Sequence, residues 1–288
     1  MTADPAIGAA PPPPAGWYPD PAFQFAHRYW DGGGWTSWVA ADNRTIDRRL
    51  PVPTTTPPLA DLPGSAVALA VVAALVAIGA TRGVDSVVDG SLLRSLILTQ
   101  AALWGVLTVT LVAVSRIYGT GRFFVDYGVR IRKSDWAGGL AGAIAGRAMA
   151  AVGIILVIAA FGGDEGSATG EFDFFEPSTA AFFTFLGFAV IGAPIIEEIF
   201  FRGLVQRALE PGLGVAGAVA LQAVLFGAAH LRTEADASLN LQILVGISLG
   251  GMVLGIAFQL TRRLGTSMVA HMLFNLVFAV AAVIQRYN

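Results

Sequence analysis

The chain has 288 residues, of which 55% are hydrophobic and 13% charged, and its mean hydropathy is +0.66. Ordinary soluble domains carry about a quarter charged residues, so this composition describes a polytopic membrane protein. There is no cysteine, which excludes disulfides, thiol catalysis and cysteine zinc sites, and the net charge of −2 gives no support for a nucleic-acid partner.

Residues 1–15 are rich in proline and alanine, with Pro11 to Pro14 consecutive, and read as a disordered or polyproline lead. They lack a basic-then-apolar pattern, so no cleaved signal peptide is expected. Residues 16–40 hold four of the six tryptophans, in Gly16-Trp-Tyr-Pro-Asp-Pro21, Arg28-Tyr-Trp-Asp-Gly32 and Gly34-Trp-Thr-Ser-Trp38. Turn formers alternating with short aromatic runs predict a small sheet of two or three strands. The plain expectation is an aromatic-clamped module without catalysis; the sharper one is a docking site for a peptide or protein partner. The three pieces resemble a short domain of unknown function found at the N-terminus of many actinobacterial membrane proteins, a resemblance that implies no activity. Residues 41–64 follow as a Pro/Thr-rich, semi-extended linker.

From Ser65 onward, apolar stretches alternate with short polar breaks. A helix needs ~20 apolar residues to cross the hydrocarbon. Seven candidates meet this: 65–81, 95–115, 136–161, 179–203, 212–230, 239–260 and 266–285. The first three make up an N-terminal membrane region, 65–161, and the last four a core, 179–285. Arginines cluster before the first span and in the breaks after the second, fourth and sixth, while the break at 162–178 is acidic. The positive-inside rule then predicts a multi-pass plasma-membrane protein with a cytoplasmic N-terminus and an external C-terminus. In the third span Gly138, Gly142 and Gly146 form a small-residue stripe that predicts a helix-packing face. Arg147, beside it, reads as a snorkelling or paired structural arginine rather than a substrate contact.

The fourth span ends in Gly192-Ala-Pro-Ile-Ile-Glu197-Glu198-Ile-Phe-Phe-Arg202-Gly203. Ionisable groups at membrane depth are expensive and mark functional sites. Glu198 and Arg202 are four apart and share a helix face, so they can pair. Glu197 is rotated ~100° away and can face a different space. One carboxylate is thus available for structure and the other for chemistry. Two of the three histidines also fall in apolar spans: His230 closes Phe226-Gly-Ala-Ala-His230, and His271 opens His271-Met-Leu-Phe-Asn275. His271 and Asn275, four apart, face the same way. His27, in the N-terminal module, reads as structural. With the break placed at Pro211, Glu197 and His230 lie roughly 21 and 28 Å from the turn and His271 ~10 Å from its own. Straight helices do not bring all three to one depth.

Glu197-Glu198-x-x-x-Arg202, Phe226-x-x-x-His230 and His271-x-x-x-Asn275, in order and on separate spans, resemble the three motifs of the CAAX-protease and bacteriocin-processing family. That group of intramembrane proteases includes the type II CAAX prenyl endopeptidase. The resemblance covers about residues 179–285. It implies an intramembrane endopeptidase acting on a membrane-associated protein or peptide precursor within the bilayer. In its metal-free form Glu197 draws a proton from water, His230 orients that water, and His271 and Asn275 donate to the oxyanion, with Glu198 and Arg202 bracing the helix. A zinc form uses Glu197, His230 and His271 as ligands, with water as the fourth; the metal-free form is preferred. Other intramembrane protease types lack support, since there is no H-E-x-x-H helix, no Gly-x-Ser-Gly context and no pair of aspartates in apolar spans. Two non-proteolytic alternatives stay open: a transporter using the polar cluster as an ion relay, and a non-catalytic scaffold or immunity factor.

Overall fold

The computed structural model describes residues 13–21, 25–41, 44–47, 62–87, 90–162, 178–232 and 235–287. Most of the proline-rich lead and linker, and most of the acidic break at 162–178, lie outside these residues. The chain divides into two compact units, Met1–Pro57 and Pro58–Asn288.

The first unit is an antiparallel sheet of four strands in sequential order, β1 (Gly16–Pro19), β2 (His27–Trp30), β3 (Trp35–Ala41) and β4 (Arg44–Asp47). It has one strand more than expected, and β4 falls in the stretch read from sequence as the start of the linker. The β2–β3 hairpin is closed by Asp31, whose Oδ1 accepts the N–H groups of Gly33 (2.8 Å) and Gly34 (2.7 Å). Those two donors hold its carboxyl below the usual range. A sheet this small buries little apolar surface. Its interior instead contains an ion pair: Arg28, fully buried, donates from Nε to Asp20 (2.9 Å) and from Nη1 to the Thr36 carbonyl (2.9 Å). Asp20 also accepts the Phe25 N–H at 3.0 Å. His27, the first residue of β2, is exposed.

The second unit is helical: α1 (Gly64–Val87), α2 (Leu92–Tyr118), α3 (Phe123–Asp126), α4 (Lys133–Phe161), α5 (Thr179–Gly187), α6 (Ala193–Glu198), α7 (Arg207–Ala228), α8 (Ala237–Thr261) and α9 (Leu264–Tyr287). Ser91, Ser178 and Asp236 cap the starts of α2, α5 and α8 through their side-chain oxygens. The long helices expose large apolar side chains such as Leu75 (64%), Val109 (70%) and Ile144 (63%), as helices facing lipid do. Among the described residues, six helical stretches are long and apolar enough to cross a membrane.

The expected seven spans are accommodated in six stretches because the longest, Thr179–Ala228, holds two of them. It runs through Pro211, whose fixed φ suits a helix, and breaks at Gly214, which sits at φ 66° and ψ 173°. Only glycine holds that conformation without strain. Past it the chain doubles back. Phe201 and Phe226 would lie ~37 Å apart on a straight helix, yet their rings meet at 5.0 Å. The expected fourth and fifth spans are therefore the two limbs of one helical hairpin, with the turn at Gly214 rather than Pro211.

One end of the bundle gathers polar links. Asp126 accepts from Ser115 (2.5 Å) and Thr120 (2.6 Å), and its carbonyl accepts from Arg207 (2.9 Å). Arg263 and Thr266 converge on Asp135 (2.5 and 2.7 Å), Arg262 pairs with Glu210 (3.1 Å), and Leu264 N–H donates to the Gly128 carbonyl (3.2 Å). Buried Tyr127 donates to the Leu111 carbonyl (2.8 Å), and burial pushes its phenol well above the ordinary value. The glycine stripe of α4 packs as expected: Gly138, Gly142 and Gly146 face Thr266, Ala270 and Phe274 of α9. Arg147 donates to the Phe274 carbonyl and lies 4.1 Å over that residue's ring, a tie between α4 and α9.

Candidate active site

The double glutamate sits on a short α-helical piece, α6, between two π-helical turns, Phe188–Gly192 and Ile199–Gln206. Such wide turns interrupt a helix at a cost and concentrate at functional sites. The first turn is held from outside. The Trp104 ring of α2 stacks edge-on against Phe188 at 5.1 Å and lies where a Gly192 side chain would be. A Cβ there collides with the indole, so Gly192→Ala is expected to cost about 1–3 kcal/mol as overpacking. Thermal unfolding checks this, and adding Trp104→Leu should return most of the loss.

Glu198 and Arg202 form the expected pair, and both are fully buried. Arg202 Nη1 donates to Glu198 Oε1 at 2.8 Å. Its Nη2 donates to the Gly251 carbonyl of α8 at 2.9 Å, and its guanidinium lies 4.5 Å from the centre of the Phe226 ring. Two ions buried together are stable only when their remaining groups are also partnered. Here Phe226 of the returning limb and Gly251 of α8 supply part of that partnering, so the pair closes only in the folded bundle, while Glu198 Oε2 and Arg202 Nε are buried without a hydrogen-bond partner among the described residues.

His271, buried on α9, lies between the two carboxylates. Its Nδ1 is 3.0 Å from Glu198 Oε1 and its Nε2 is 3.9 Å from Glu197 Oε2. A carboxylate only accepts, so Nδ1 carries the proton. The two glutamates thus differ in kind. Glu198 is enclosed and committed to Arg202 and His271, whereas the Glu197 side chain is 19% exposed and lies beyond direct hydrogen-bond distance of His271. His230 donates from Nδ1 to the Phe226 carbonyl at 2.7 Å, which leaves Nε2 of the neutral ring as an acceptor. Asn275 donates to the Ala189 carbonyl in the first π turn (2.8 Å), and its amide has a second N–H to give.

The depth mismatch in the straight-helix picture is resolved by Gly214. Glu198 and His230 stand sixteen residues on either side of it (198 to 214 and 214 to 230), each ~24 Å along its limb. The α8–α9 turn is short, with Arg262 in the left-handed conformation at φ 52°, and this sets His271 against Glu198.

The structure brings Glu197, Glu198, Arg202 and His271 into one cluster. His230 joins it through the Phe226 ring, whose centre is 4.7 Å from the His230 ring and 5.6 Å from the His271 ring. Asn275 is bound to the helix that carries the glutamates. Phe226, touching Phe201, Arg202 and both histidines, was quoted from sequence only as a motif letter; its four-residue spacing from His230 was the signal for its role. Trp104 and the carbonyls of Gly251 and Ala189 carried no signal, because their roles depend on inter-helix packing.

The alternative zinc set, Glu197, His230 and His271, is not gathered as a metal site. Among the described residues no group of three or more His, Asp or Glu side chains is placed to hold a metal. The zinc alternative thus has no support among the described residues.

Residues 179–277 match the family model described as type II CAAX prenyl endopeptidase Rce1-like, and residues 15–48 match a protein of unknown function, DUF2510. Neither a curated protein nor a solved structure matches the chain. The first match supports a protease and, with the apolar helices, a multi-pass membrane protein.

Proposed function

We propose, from the match of residues 179–277 to the CAAX endopeptidase family and from the cluster at Glu197, that the chain is an intramembrane endopeptidase using a glutamate-activated water. The observation that carries this reading is the asymmetry of the two carboxylates around His271. Glu198 is locked into structure, and Glu197, at 3.9 Å from Nε2, is placed to share a water with it. Glu197 takes a proton from that water as it attacks the scissile carbonyl, and later delivers it to the leaving amine. His230 Nε2, an acceptor, orients the water. Asn275 supplies an amide hydrogen to the oxyanion. His271 donates from Nε2 only as the imidazolium, because Nδ1–H is already given to Glu198.

The substrate is a membrane-associated peptide or protein precursor, since the site lies within apolar helices. In this reading the protein lies in the plasma membrane with its arginine-rich end, Arg207, Arg262 and Arg263, and its N-terminus toward the cytoplasm, a reading supported by the positive-inside rule. The test is to reconstitute the purified chain in lipid vesicles with a library of membrane peptides and to identify new termini by mass spectrometry. Time-dependent new termini at defined bonds are expected. An unchanged library would contradict the assignment.

A further inference from the structure

The N-terminal sheet is not absorbed by the proteolytic reading, and its aromatic face makes contacts of a recognisable kind. In β1 and β2, Gly16 faces Trp30 and Tyr18 faces Arg28; in β2 and β3, Trp30 faces Trp35. Directly opposed residues share a side of the sheet, so Tyr18, Trp30 and Trp35 lie on one face. Their rings meet edge to face, Trp30 with Trp35 at 5.4 Å and Tyr18 with Trp35 at 6.3 Å. Two donors project from this face, and both are used on the proline-rich lead. The Trp30 indole N–H donates to the Pro13 carbonyl at 3.0 Å, and the Tyr18 hydroxyl donates to the Pro14 carbonyl at 2.8 Å.

The lead is held by its carbonyls and not by burial, since Pro13 and Pro14 are themselves exposed. That is the chemistry by which aromatic faces read polyproline II. Such a chain makes no internal hydrogen bonds, so its carbonyls are free for indole and phenol donors, and its stiffness keeps the entropic cost of ordering low. Four consecutive prolines, Pro11 to Pro14, favour that conformation.

We propose that Tyr18, Trp30 and Trp35 form a binding site for a proline-rich segment of another polypeptide, and that the chain's own lead occupies it as a competing ligand in cis. Pro14 precedes β1 by a single intervening residue, Ala15, so the lead acts at a high local concentration. A proline-rich segment in trans binds by displacing it.

The test uses the full chain in detergent and two variants of it, one lacking residues 1–14 and one with Pro11 to Pro14 all changed to alanine. The probe is a fluorescein-labelled peptide with the sequence of residues 9–16, followed by anisotropy, and near-UV circular dichroism reports whether each variant keeps its tryptophan environment. Saturable binding to a folded lead variant is expected, with wild type weaker by about tenfold or more. Trp30→Phe in the same background, which keeps a ring and removes the N–H, should weaken binding by about three- to tenfold. A peptide with alanine in place of every proline should not bind. The proposal is overturned if a folded lead variant does not bind the probe, binds the alanine peptide equally well, or is indifferent to Trp30→Phe.

Discussion

Glu197→Gln is expected to lower peptide cleavage by about 10²–10⁴-fold, the usual worth of a positioned general base. The amide keeps the size and polarity of the side chain but cannot take a proton from water. Glu197 is 19% exposed and is not part of the buried ion pair, so the substitution should leave helicity and the thermal transition close to wild type. Initial rates on a peptide cut by the wild type, measured beside thermal unfolding of both proteins, check the two halves of this expectation. Full cleavage by a folded Glu197→Gln protein would remove Glu197 from the mechanism.

The second large effect is on stability. Arg202→Ala should destabilise the bundle by about 3–5 kcal/mol, because it leaves the Glu198 carboxylate charged, buried and without its cation. It also removes the link to the Gly251 carbonyl and the cation stacked on Phe226. The double variant Glu198→Gln with Arg202→Met removes both charges and should recover a large part of that loss. It should not recover activity, because His271 Nδ1 then loses the carboxylate that holds its proton and aims Nε2 at Glu197. Chemical or thermal unfolding in detergent gives the coupling between the two positions as a double-mutant cycle. Additive losses would show that the pair is not the brace of this site.

The ordered motifs made the site legible before any coordinates, and the reason is local. Glu198 and Arg202, Phe226 and His230, and His271 and Asn275 are each four apart, so helix geometry alone puts each pair on one face. The difference between the glutamates was legible for the same reason, since only Glu198 shares a face with Arg202. The glycine stripe of α4 likewise announced the face that receives α9. What sequence did not carry was set by long-range packing. Placing the turn at Pro211 left Glu197 and His230 at different depths; the left-handed Gly214, three residues on, brings them level. Proline is the stronger helix breaker by propensity, but its φ is helical, and here the conformation that only glycine tolerates decided the position of the turn. The Trp104 ring on Gly192 and the carbonyl partners of Arg202 and Asn275 are contacts between helices far apart in sequence. The fourth strand, Arg44–Asp47, was hidden by Arg44 and by the arginines and prolines after it, which resemble a linker in composition. The zinc alternative was not decidable from spacing either, because a ligand set is a matter of distance, and no such set is gathered among the described residues.

The measurement that tests the central claim most directly is cleavage in oxygen-18 water by vesicle-reconstituted protein pretreated with a strong metal chelator. A glutamate-activated water predicts that cleavage continues at its untreated rate and that each new C-terminal carboxylate carries one oxygen-18. Cleavage that stops with the chelator and returns on adding zinc would contradict the account and turn Glu197, His230 and His271 into ligands.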